Sequence, residues 1–405
     1  MAQRLSQEDV QSILRAMKIL VLAPHPFYEE RGTPIAVNLL LRLFSQQGHH
    51  VDLLTFHVGQ DMHYDNLTIL RTPKLGFIKT IRPGLSWKKV VCDVVMLFKL
   101  FGVVRRRRPD VLHAVEESVF MAMAIKLFFR IPYVYDMDSS LASNIRESHS
   151  YLFFLQPFFR WMEGAAVNHA LAVLPVCPAL VDVVEKHKPK RVWLITDTSL
   201  LDPNETPTDL KLRESLNARG PVFMYIGNLE PYQGIDLLLE SFQRVCNRSE
   251  DGCIIVVGGM PHFIETYEEK SRTLGIADRV YFVGAKPTNL MAALFNEADI
   301  LVSPRFKGEN TPMKLYSYLD SGKAVLATAL HTHTQIVDDT TAKLADPTPE
   351  AFAQAMLELI QSPQEREQLG RNGKQCIAEH YSVETMDTRV RELYAYIQTE
   401  LKHAT

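Results

Sequence analysis

A glutamate and several cations lie close together in one short polar segment, residues 303–326. The segment follows an apolar run, Asp299–Ser303, which predicts a strand, and a helix is predicted from near Met313 to Gly322. Backbone N–H groups at a helix N-terminus attract anions, and a carboxylate can bind hydroxyl groups. The segment therefore predicts a site for a ligand with a sugar at one end and a diphosphate at the other, although a turn with incidental charges is the alternative. The predicted site residues are Glu309, Arg305, Lys307 and Lys314, together with Asn310 and Thr311 in the same loop.

Several landmarks of this segment resemble the donor-site signature of family 4 retaining glycosyltransferases, which have the GT-B fold. That signature contains two glutamates separated by seven residues, followed by a glycine and a Pro-Val pair. Glu309 matches the first glutamate, and Gly322 and Val325 match the later landmarks. In the family, the first glutamate binds hydroxyls of the donor sugar and the second binds the nucleotide ribose. Ser317 occupies the second position here, and it would be a neutral and weaker partner for a ribose hydroxyl.

A second motif, the turn between Gly227 and Gly234, also resembles the family. Family members carry an arginine after the first glycine and a lysine before the second, and both bind the donor diphosphate. The corresponding residues here are Asn228 and Gln233, which can still donate hydrogen bonds but carry no charge. Since departure of the diphosphate develops negative charge that must be stabilised, other cations are needed.

Lys314 is the favoured substitute for the missing basic pair, with help from Arg305. It lies in the first turn of the predicted helix after Glu309, where a cation opposes the helix dipole unless it has an anionic partner. The alternative is that Lys314 is an ordinary surface lysine.

The pair Asp136 and Asp138 follows another predicted strand, Tyr133–Tyr135. Active groups of parallel α/β sheets gather at the carboxyl ends of strands, and the family often has a catalytically important histidine near this point. The favoured interpretation is a carboxylate that orients the acceptor hydroxyl or helps to take its proton. Helix N-capping by Asp138 or Ser139 is the main alternative, and a metal-binding DxD triplet is the least favoured. We therefore expect no metal and no cofactor besides the donor substrate.

Gly32 and Thr33 occupy the position at which the family often has a glycine-rich loop near the donor phosphate or the acceptor. They are assigned to such a loop, within a connection predicted over Pro24–Pro34, although Gly32 could instead serve a turn with positive φ. His113 ends another predicted strand, and it is assigned with Gly32 and Thr33 to the region near the acceptor or the donor phosphate. A buried core histidine is nevertheless the favoured interpretation. Gly48 is predicted to end a helix before the next strand.

The chain of 405 residues suggests two domains of ordinary size, and 46% hydrophobic with 22% charged residues is a globular composition. A net charge of −3 gives no reason to expect nucleic acid as a partner. The five cysteines are scattered, which argues against a zinc site and a disulfide framework. No signal peptide is recognised, so a cytoplasmic setting is expected.

Alternating strands and helices predict an α/β fold, and the resemblance implies GT-B architecture with two facing Rossmann-like domains and a C-terminal crossover helix. The predicted organisation is an extension (1–17), an N-terminal acceptor domain (18–200), a nucleotide-sugar domain (208–382) and a returning helix (383–405). The boundary is placed within Thr196–Pro207. Predicted strands are Lys18–Ala23, a strand within Gly48–Thr55, Val111–His113, Tyr133–Tyr135, Ala172–Leu174, Val222–Ile226, Ile254–Val257, Val280–Val283, Ile300–Val302 and Ala324–Ala327. Glu116 and Glu117 are expected to cap a helix over Ser118–Phe129.

An apolar segment, Val90–Val104, is bounded by clustered cations. It is too short and too charged to cross a bilayer, but it could lie in the interface of an anionic membrane. The alternative is a core helix with a basic, solvated end. The cations are Lys74, Lys79, Arg82, Lys88, Lys89 and Arg105–Arg108, and a second aromatic patch contains Phe153, Phe154, Phe158, Phe159 and Trp161.

The resemblance implies a retaining, hexosyl-type glycosyltransferase that uses a nucleotide-diphosphate sugar. The expected acceptor is a glycan or a lipid-linked acceptor in cell-surface polysaccharide or glycolipid synthesis, and presentation at the cytoplasmic face of a membrane is one option. A non-catalytic GT-B scaffold is one alternative, which the residues at 228, 233 and 317 favour. Another sugar-nucleotide enzyme, such as an epimerase, is the second.

Overall fold

The computed structural model describes residues 15–78, 80–81, 86–142, 156–202 and 208–404. Several residues named above lie outside this part of the chain: most of the predicted N-terminal extension, Lys79, Arg82, Phe153, Phe154 and Pro207. Residue contacts divide the chain into two compact units. The first contains Met1–Thr196 and Met386–Thr405, and the second contains Asp197–Thr385.

The first unit is a parallel α/β sheet with strand order β3-β2-β1-β4-β5-β6. Its apolar helices pack against the sheet and form a core around strands β1, β4 and β5. The strands are β1 (Lys18–Ala23), β2 (His50–Thr55), β3 (Leu67–Arg71), β4 (Val111–Val115), β5 (Tyr133–Met137) and β6 (Ala172–Pro175). The helices are α1 (Gly32–Gln46), α2 (Trp87–Arg107), α3 (Ser118–Phe129), α4 (Gln156–His169) and α5 (Pro178–Glu185).

The second unit has the order β12-β11-β10-β7-β8-β9, again entirely parallel. The strands are β7 (Val222–Ile226), β8 (Cys253–Val257), β9 (Val280–Phe282), β10 (Ile300–Ser303), β11 (Ala324–Thr328) and β12 (Lys343–Ala345). The helices are α6 (Leu212–Ser215), α7 (Ile235–Cys246), α8 (Pro261–Thr273), α9 (Met291–Asn296), α10 (Lys314–Asp320), α11 (His331–Thr334), α12 (Pro349–Gln361) and α13 (Pro363–His380). Short 3₁₀ turns cover Pro231–Gln233, Ala277–Arg279 and Thr288–Leu290.

The two sheets share one connectivity. Counting from the first strand of each unit, both have the order 3-2-1-4-5-6, which is that of the Rossmann fold. The strand order therefore reverses direction between β1 and β4 in the first unit and between β7 and β10 in the second. In open α/β sheets, ligands bind at the carboxyl ends of the strands at such a switch point.

The last helix, α14 (Val383–Ala404), returns to the first unit from Met386 onward. Its residues Val390, Leu393, Tyr394 and Ile397 are fully buried. Gln47 Nε2, just beyond helix α1, donates to Asp387 Oδ1 at 2.9 Å. This helix therefore completes the core of a unit whose other elements lie more than 180 residues earlier in the chain.

Each predicted strand is present, with ends that differ by at most two residues. Two edge strands, β3 and β12, are absent from the prediction. β3 is only partly buried and β12 has three residues, so neither forms the continuous apolar run of a central strand. Gly48 has φ +78° and its N–H donates to Ser45 O, which confirms the predicted helix end.

Two local predictions are wrong. The loop expected over Pro24–Pro34 already becomes helix α1 at Gly32, which follows Arg31 in extended conformation. Gly32 does not have a positive φ, so no left-handed turn requires a glycine there. Helix α3 covers the predicted range, but Glu117 at its N-cap makes no side-chain capping hydrogen bond.

Candidate functional site

Two predicted motifs lie at the switch point of the second sheet. The turn at Gly227 follows β7, and the loop after Ser303 follows β10, which pairs with β7 in parallel with Ile300 opposite Phe223. Since parallel strands end at the same edge, the two loops approach each other although about 80 residues separate them in the chain.

Lys314 makes one of the contacts between these loops. Its Nζ donates to Gln233 Oε1 at 3.1 Å and lies 4.0 Å from the centre of the Tyr225 ring. The residue as a whole is only partly buried, but its ammonium group lies among these protein atoms. This burial, with a smaller contribution from the nearby Arg305 cation, lowers the pKa of Lys314 to about 7. The ammonium group is therefore held in an environment that disfavours its charge.

Glycines allow this close approach. Gly227 has φ +149°, and a Cβ atom there would lie 2.8 Å from Lys314 Nζ. Gly234 has φ +80°, and a Cβ atom there would lie 1.9 Å from Pro304 O. A side chain at position 227 would collide with the lysine, and one at position 234 would collide with the backbone of the facing loop. Glycine at both positions therefore allows the two loops to pack closely.

Arg305 contacts residues of its own loop and of the facing turn. Its guanidinium donates to Lys307 O at 2.7 Å and to Asn310 Oδ1 at 3.1 Å, and it lies over the Tyr232 ring with 5.4 Å to the centroid. Asn310 and Lys307 therefore help to shape the loop. Glu309 is half-buried in the same loop, and its carbonyl oxygen accepts from Gln335 Nε2 at 3.1 Å.

The remaining predicted donor-site residues have local roles. Asn228 Oδ1 accepts from Glu230 N–H at 3.2 Å, which stabilises the turn after β7. Ser317 is buried, and its hydroxyl accepts from Leu200 N–H at 2.9 Å within the same unit. Thr311 is also buried, and its hydroxyl has no hydrogen-bond partner among the described residues. A ribose contact for Ser317 stays a prediction.

A buried polar network beneath the loop was not predicted from the sequence. Thr328 Oγ1 donates to Arg305 O at 2.5 Å and lies 3.1 Å from His333 Nδ1, while His333 Nε2 lies 2.8 Å from Ser303 Oγ. These contacts are satisfied by a neutral imidazole protonated at Nδ1. Burial lowers the pKa of His333 to about 3, in agreement with a neutral ring. The network ties β10 and β11 to the loop that carries Arg305.

In the first unit, Asp136 belongs to a chain of three side chains. Its Oδ2 lies 3.0 Å from His113 Nε2, and His113 Nδ1 lies 2.9 Å from the hydroxyl of Tyr394 on α14. His113 and Tyr394 are fully buried, so His113 is a satisfied core histidine, the interpretation favoured from the sequence. It is not exposed to an acceptor or a phosphate, whereas the Asp136 side chain is 22% exposed at the edge of the sheet.

Glu163 accepts hydrogen bonds from the segment that follows β5. It is buried on α4 and accepts from Ser140 Oγ and from the N–H groups of Leu141 and Ala142. A capping role for Asp138 or Ser139 stays a prediction. Gly32 and Thr33 lie in the first turn of α1.

Three carboxylates lie near Lys89 in the first turn of α2, and they belong to Glu116, Glu117 and Asp93. Lys89 Nζ forms an ion pair with Glu117, so it is not part of the exposed basic cluster that the sequence predicted. Burial and the nearby Glu117 carboxylate raise the pKa of Glu116 and of Asp93 to about 7. Glu116 also has φ +49°, which is unusual for a residue other than glycine.

Comparison with known families covers both units. The description "Glycosyl transferases group 1" matches residues 209–376, and "Glycosyl transferase 4-like domain" matches residues 31–192. The alpha-D-kanosaminyltransferase of Streptomyces kanamyceticus is 22% identical over 252 residues, 60% of this chain and 64% of the relative. The D-rhamnosyltransferase WbpZ of Pseudomonas aeruginosa is 26% identical over 214 residues, 52% of this chain and 54% of the relative. The chain thus spans less than two thirds of the length of these relatives.

Solved structures share this fold. Sucrose-phosphate synthase from Thermosynechococcus elongatus superposes with a TM-score of 0.79 at 18% identity, covering 96% of this chain and 100% of the other. The Anabaena protein Alr3699/HepE in complex with UDP has a TM-score of 0.73 at 17% identity and covers 93% and 99%. The predicted GT-B fold is confirmed. With both units matched by glycosyltransferase family models, the chain belongs to the glycosyl transferases group 1 family.

Proposed function

We propose that the protein transfers a hexosyl group, with retention of configuration, from a nucleoside-diphosphate sugar to a glycan or lipid-linked acceptor. The observation that carries this proposal is the position of the Lys314 ammonium group beside Gly227 and Gln233. Family members carry a cation that binds the donor diphosphate at two positions, and Gln233 occupies one of them in this chain. The lysine therefore reaches the place of the absent charge from a different loop.

The electrostatics of this lysine favour an anionic ligand. In the described part of the chain, no carboxylate forms an ion pair with Lys314, and the nearby charge that affects it is the like charge of Arg305. An enclosed cation without a counterion is costly, and a diphosphate would supply the compensating charge. The same interaction would stabilise the charge that develops on the diphosphate as it leaves.

Similar proteins support this choice of donor. The Anabaena protein named above is described in complexes with UDP and with UDP-glucose. The names of two similar proteins specify transfer of kanosamine and rhamnose. We infer a nucleoside-diphosphate sugar as the donor class and leave the base and the sugar to experiment.

Separate roles follow for the reacting groups. Glu309 binds hydroxyls of the donor sugar, and Lys314 binds the diphosphate. Asp136 orients the acceptor hydroxyl or helps to take its proton, since its side chain is partly exposed while His113 fixes one oxygen. The reaction uses no metal and no cofactor, and it serves cell-surface polysaccharide or glycolipid synthesis.

The test begins with a thermal-shift screen of UDP, GDP and ADP sugars, because a ligand that binds the native state raises the apparent stability. Transfer from the best donor is then measured for the wild type and for Glu309→Gln, with a chelator in a parallel reaction. We expect Glu309→Gln to slow transfer at least about 100-fold, a typical loss for one transition-state contact. Its melting temperature should stay unchanged, and the chelator should have no effect.

Other outcomes separate the alternatives. Wild-type transfer by Glu309→Gln would reject the donor-site assignment, and activity that disappears with the chelator and returns with manganese would revive a metal site at Asp136 and Asp138. Nucleotide-sugar binding without turnover of any acceptor or donor would favour the scaffold.

A further inference from the structure

Helix α2 has two different apolar faces. One face, formed by Cys92, Met96, Leu100 and Val104, is buried in the core of the first unit. The opposite face also carries large apolar side chains, but these are exposed: Trp87, Val90, Val94 and Phe98. An amphipathic surface helix normally presents polar residues to water, so this second face needs an explanation.

The exposed residues form one continuous line along the helix. Trp87, Val90, Val94 and Phe98 are followed in the same spacing by Phe101 and Arg105, with an average step of about 3.6 residues. The apolar part from Trp87 to Phe98 is roughly 17 Å long at the helical rise of about 1.5 Å per residue. Because the spacing equals the helical repeat, the line is straight and faces one direction.

The end of helix α3 extends this surface. The Phe101 ring lies 5.8 Å from the Phe128 ring, which joins the two helices. Phe98, Leu127 and Phe128 are 74%, 77% and 68% exposed. Isolated exposed apolar residues are common, but a contiguous patch of large ones marks an interaction surface. We call the patch formed by Trp87, Val90, Val94, Phe98, Leu127 and Phe128 the apolar platform.

Exposed arginines lie at one end of the apolar platform. Helix α2 ends with Arg105, Arg106 and Arg107, and Arg108 follows with φ +49°. Arg107 lies 3.7 Å from Asp52, whereas the other three form no ion pair within the described residues. Three unneutralised arginines beside an apolar patch call for a partner with an apolar surface and negative charge.

We propose that the apolar platform and Arg105–Arg108 dock the first unit onto an anionic lipid bilayer, with α2 lying flat in the membrane interface. Charge complementarity selects this occupant: an anionic bilayer offers acyl chains to the platform and negative head groups to the arginines in the same plane. Trp87 at one end of the line and the arginines at the other are residue types that favour the membrane–water interface. In the described part of the chain, no helix has the length and hydrophobicity needed to cross a bilayer. This inference does not depend on the proposed transfer reaction.

Binding is measured by co-sedimentation with vesicles of phosphatidylcholine alone and of phosphatidylcholine with phosphatidylglycerol. We expect binding to the anionic vesicles at low salt, much weaker binding at high salt, and little binding to the neutral vesicles. Arg105→Ser with Arg106→Ser should weaken anionic binding roughly 30-fold, about fivefold for each charge. Phe98→Ser should weaken it at least tenfold and should leave the fold intact, because Phe98 is exposed.

The matched control removes two exposed arginines from the other unit, Arg272→Ser with Arg371→Ser. It changes the net charge equally and should bind vesicles like the wild type. Insertion is read from Trp87 in a variant that carries Trp161→Phe and Trp193→Phe, which leaves Trp87 as the one tryptophan of three. Lipids brominated near the head group should quench its fluorescence.

Three results would overturn the proposal. Wild-type protein that ignores anionic vesicles at low salt, binding that is equally strong to neutral vesicles, or Trp87 fluorescence that brominated lipids leave unchanged would each reject it. Light scattering identifies the competing occupant: an oligomer that Phe98→Ser dissociates, in protein that does not bind vesicles, would assign the apolar platform to a contact between copies of this chain.

Discussion

At the scale of single residues, Lys314 shows how its surroundings change the chemistry of a lysine. Enclosure next to Tyr225 and Gln233 removes water from the ammonium group, and Arg305 adds a like charge. The cost of the charged form is a source of binding energy, because an incoming anion relieves it. Two predictions test this interpretation.

Lys314→Met should weaken binding of the nucleoside diphosphate of the preferred donor by about 10- to 150-fold. This is the effect of losing a hydrogen bond to a charged group, about 1.5–3 kcal/mol. Methionine has a similar volume and no charge, so the fold should persist. Titration calorimetry measures the affinity, and Lys374→Met removes an exposed lysine of the same unit as the control. Equal affinities of Lys314→Met and the wild type would contradict the role.

The affinity for a nucleoside diphosphate should depend on pH through the same lysine. In the free protein the pKa of Lys314 is about 7, and a bound diphosphate raises it by favouring the charged form. Binding above pH 7 therefore takes up a proton, and affinity should fall by up to tenfold per pH unit as the pH rises. Calorimetry between about pH 7 and pH 9 checks this, with Lys314→Arg as control, since arginine stays charged and should remove the decline.

The effect of this lysine on stability has the opposite sign. The unfolded lysine keeps its proton up to about its ordinary pKa of 10.5, whereas the folded one loses it near 7. Between these values the unfolded state binds more protons, so the contribution of Lys314 to the free energy of unfolding rises with pH. Nucleotide binding is therefore tightest at the lower end of this pH range, whereas the contribution of Lys314 to stability is largest at the upper end.

At the scale of elements, the site depends on how closely the turn after β7 and the loop after β10 approach each other. The turn before α7 places Gly234 against the carbonyl of Pro304, immediately after β10. From below, the hydrogen bonds of His333, Thr328 and Ser303 hold the loop that follows β10. The two loops are therefore positioned by backbone contact on one side and by a buried polar network on the other.

Gly234→Ala should destabilise the second unit by more than about 2 kcal/mol and should weaken nucleotide binding. The new methyl group would meet a backbone carbonyl, which cannot rotate away. Gly275→Ala is the matched control, because Gly275 has a similar φ of +70° but open space around it, and should cost about 1 kcal/mol. Urea denaturation and calorimetry provide the two readouts. Similar losses for both variants would show that the contact with Pro304 is unimportant.

At the scale of the whole molecule, the last helix completes the first unit. Tyr394 on α14 contacts His113 on β4, and His113 contacts Asp136 on β5, so the proposed acceptor-side carboxylate is positioned by a residue 258 positions later. The C-terminal helix thus stabilises the core and also fixes a group at the edge of the sheet.

Tyr394→Phe should reduce the stability of the first unit by about 1–3 kcal/mol, because it leaves His113 Nδ1 buried without its partner. It should also slow sugar transfer while nucleotide affinity stays unchanged, since Asp136 is less well positioned. Tyr396→Phe is the control: this tyrosine is only partly buried and should change stability by less than about 0.5 kcal/mol. Normal transfer by Tyr394→Phe would limit the contact to a structural role.

Much of the fold could be read from the sequence, because central strands of a parallel sheet are buried on both faces and appear as continuous apolar runs. β1, β7 and β10 were recognised in this way. The edge strands β3 and β12 lack that signal, since one is half-exposed and the other is very short. The motif around Glu309 and Lys314 can also be recognised in the sequence, because its residues are close in the chain and lie between a strand and a helix.

Contacts between distant segments were decided by the tertiary structure alone. No local pattern connects Lys314 with Gln233, or His333 with Ser303, because sheet order and not sequence distance makes β7, β10 and β11 neighbours. The same holds for the exposed face of α2: hydrophobic spacing shows that a helix has apolar positions, but only packing shows which of them the core covers. Sequence determined the elements and the candidate groups, and the three-dimensional packing determined which of those groups meet and which remain at the surface.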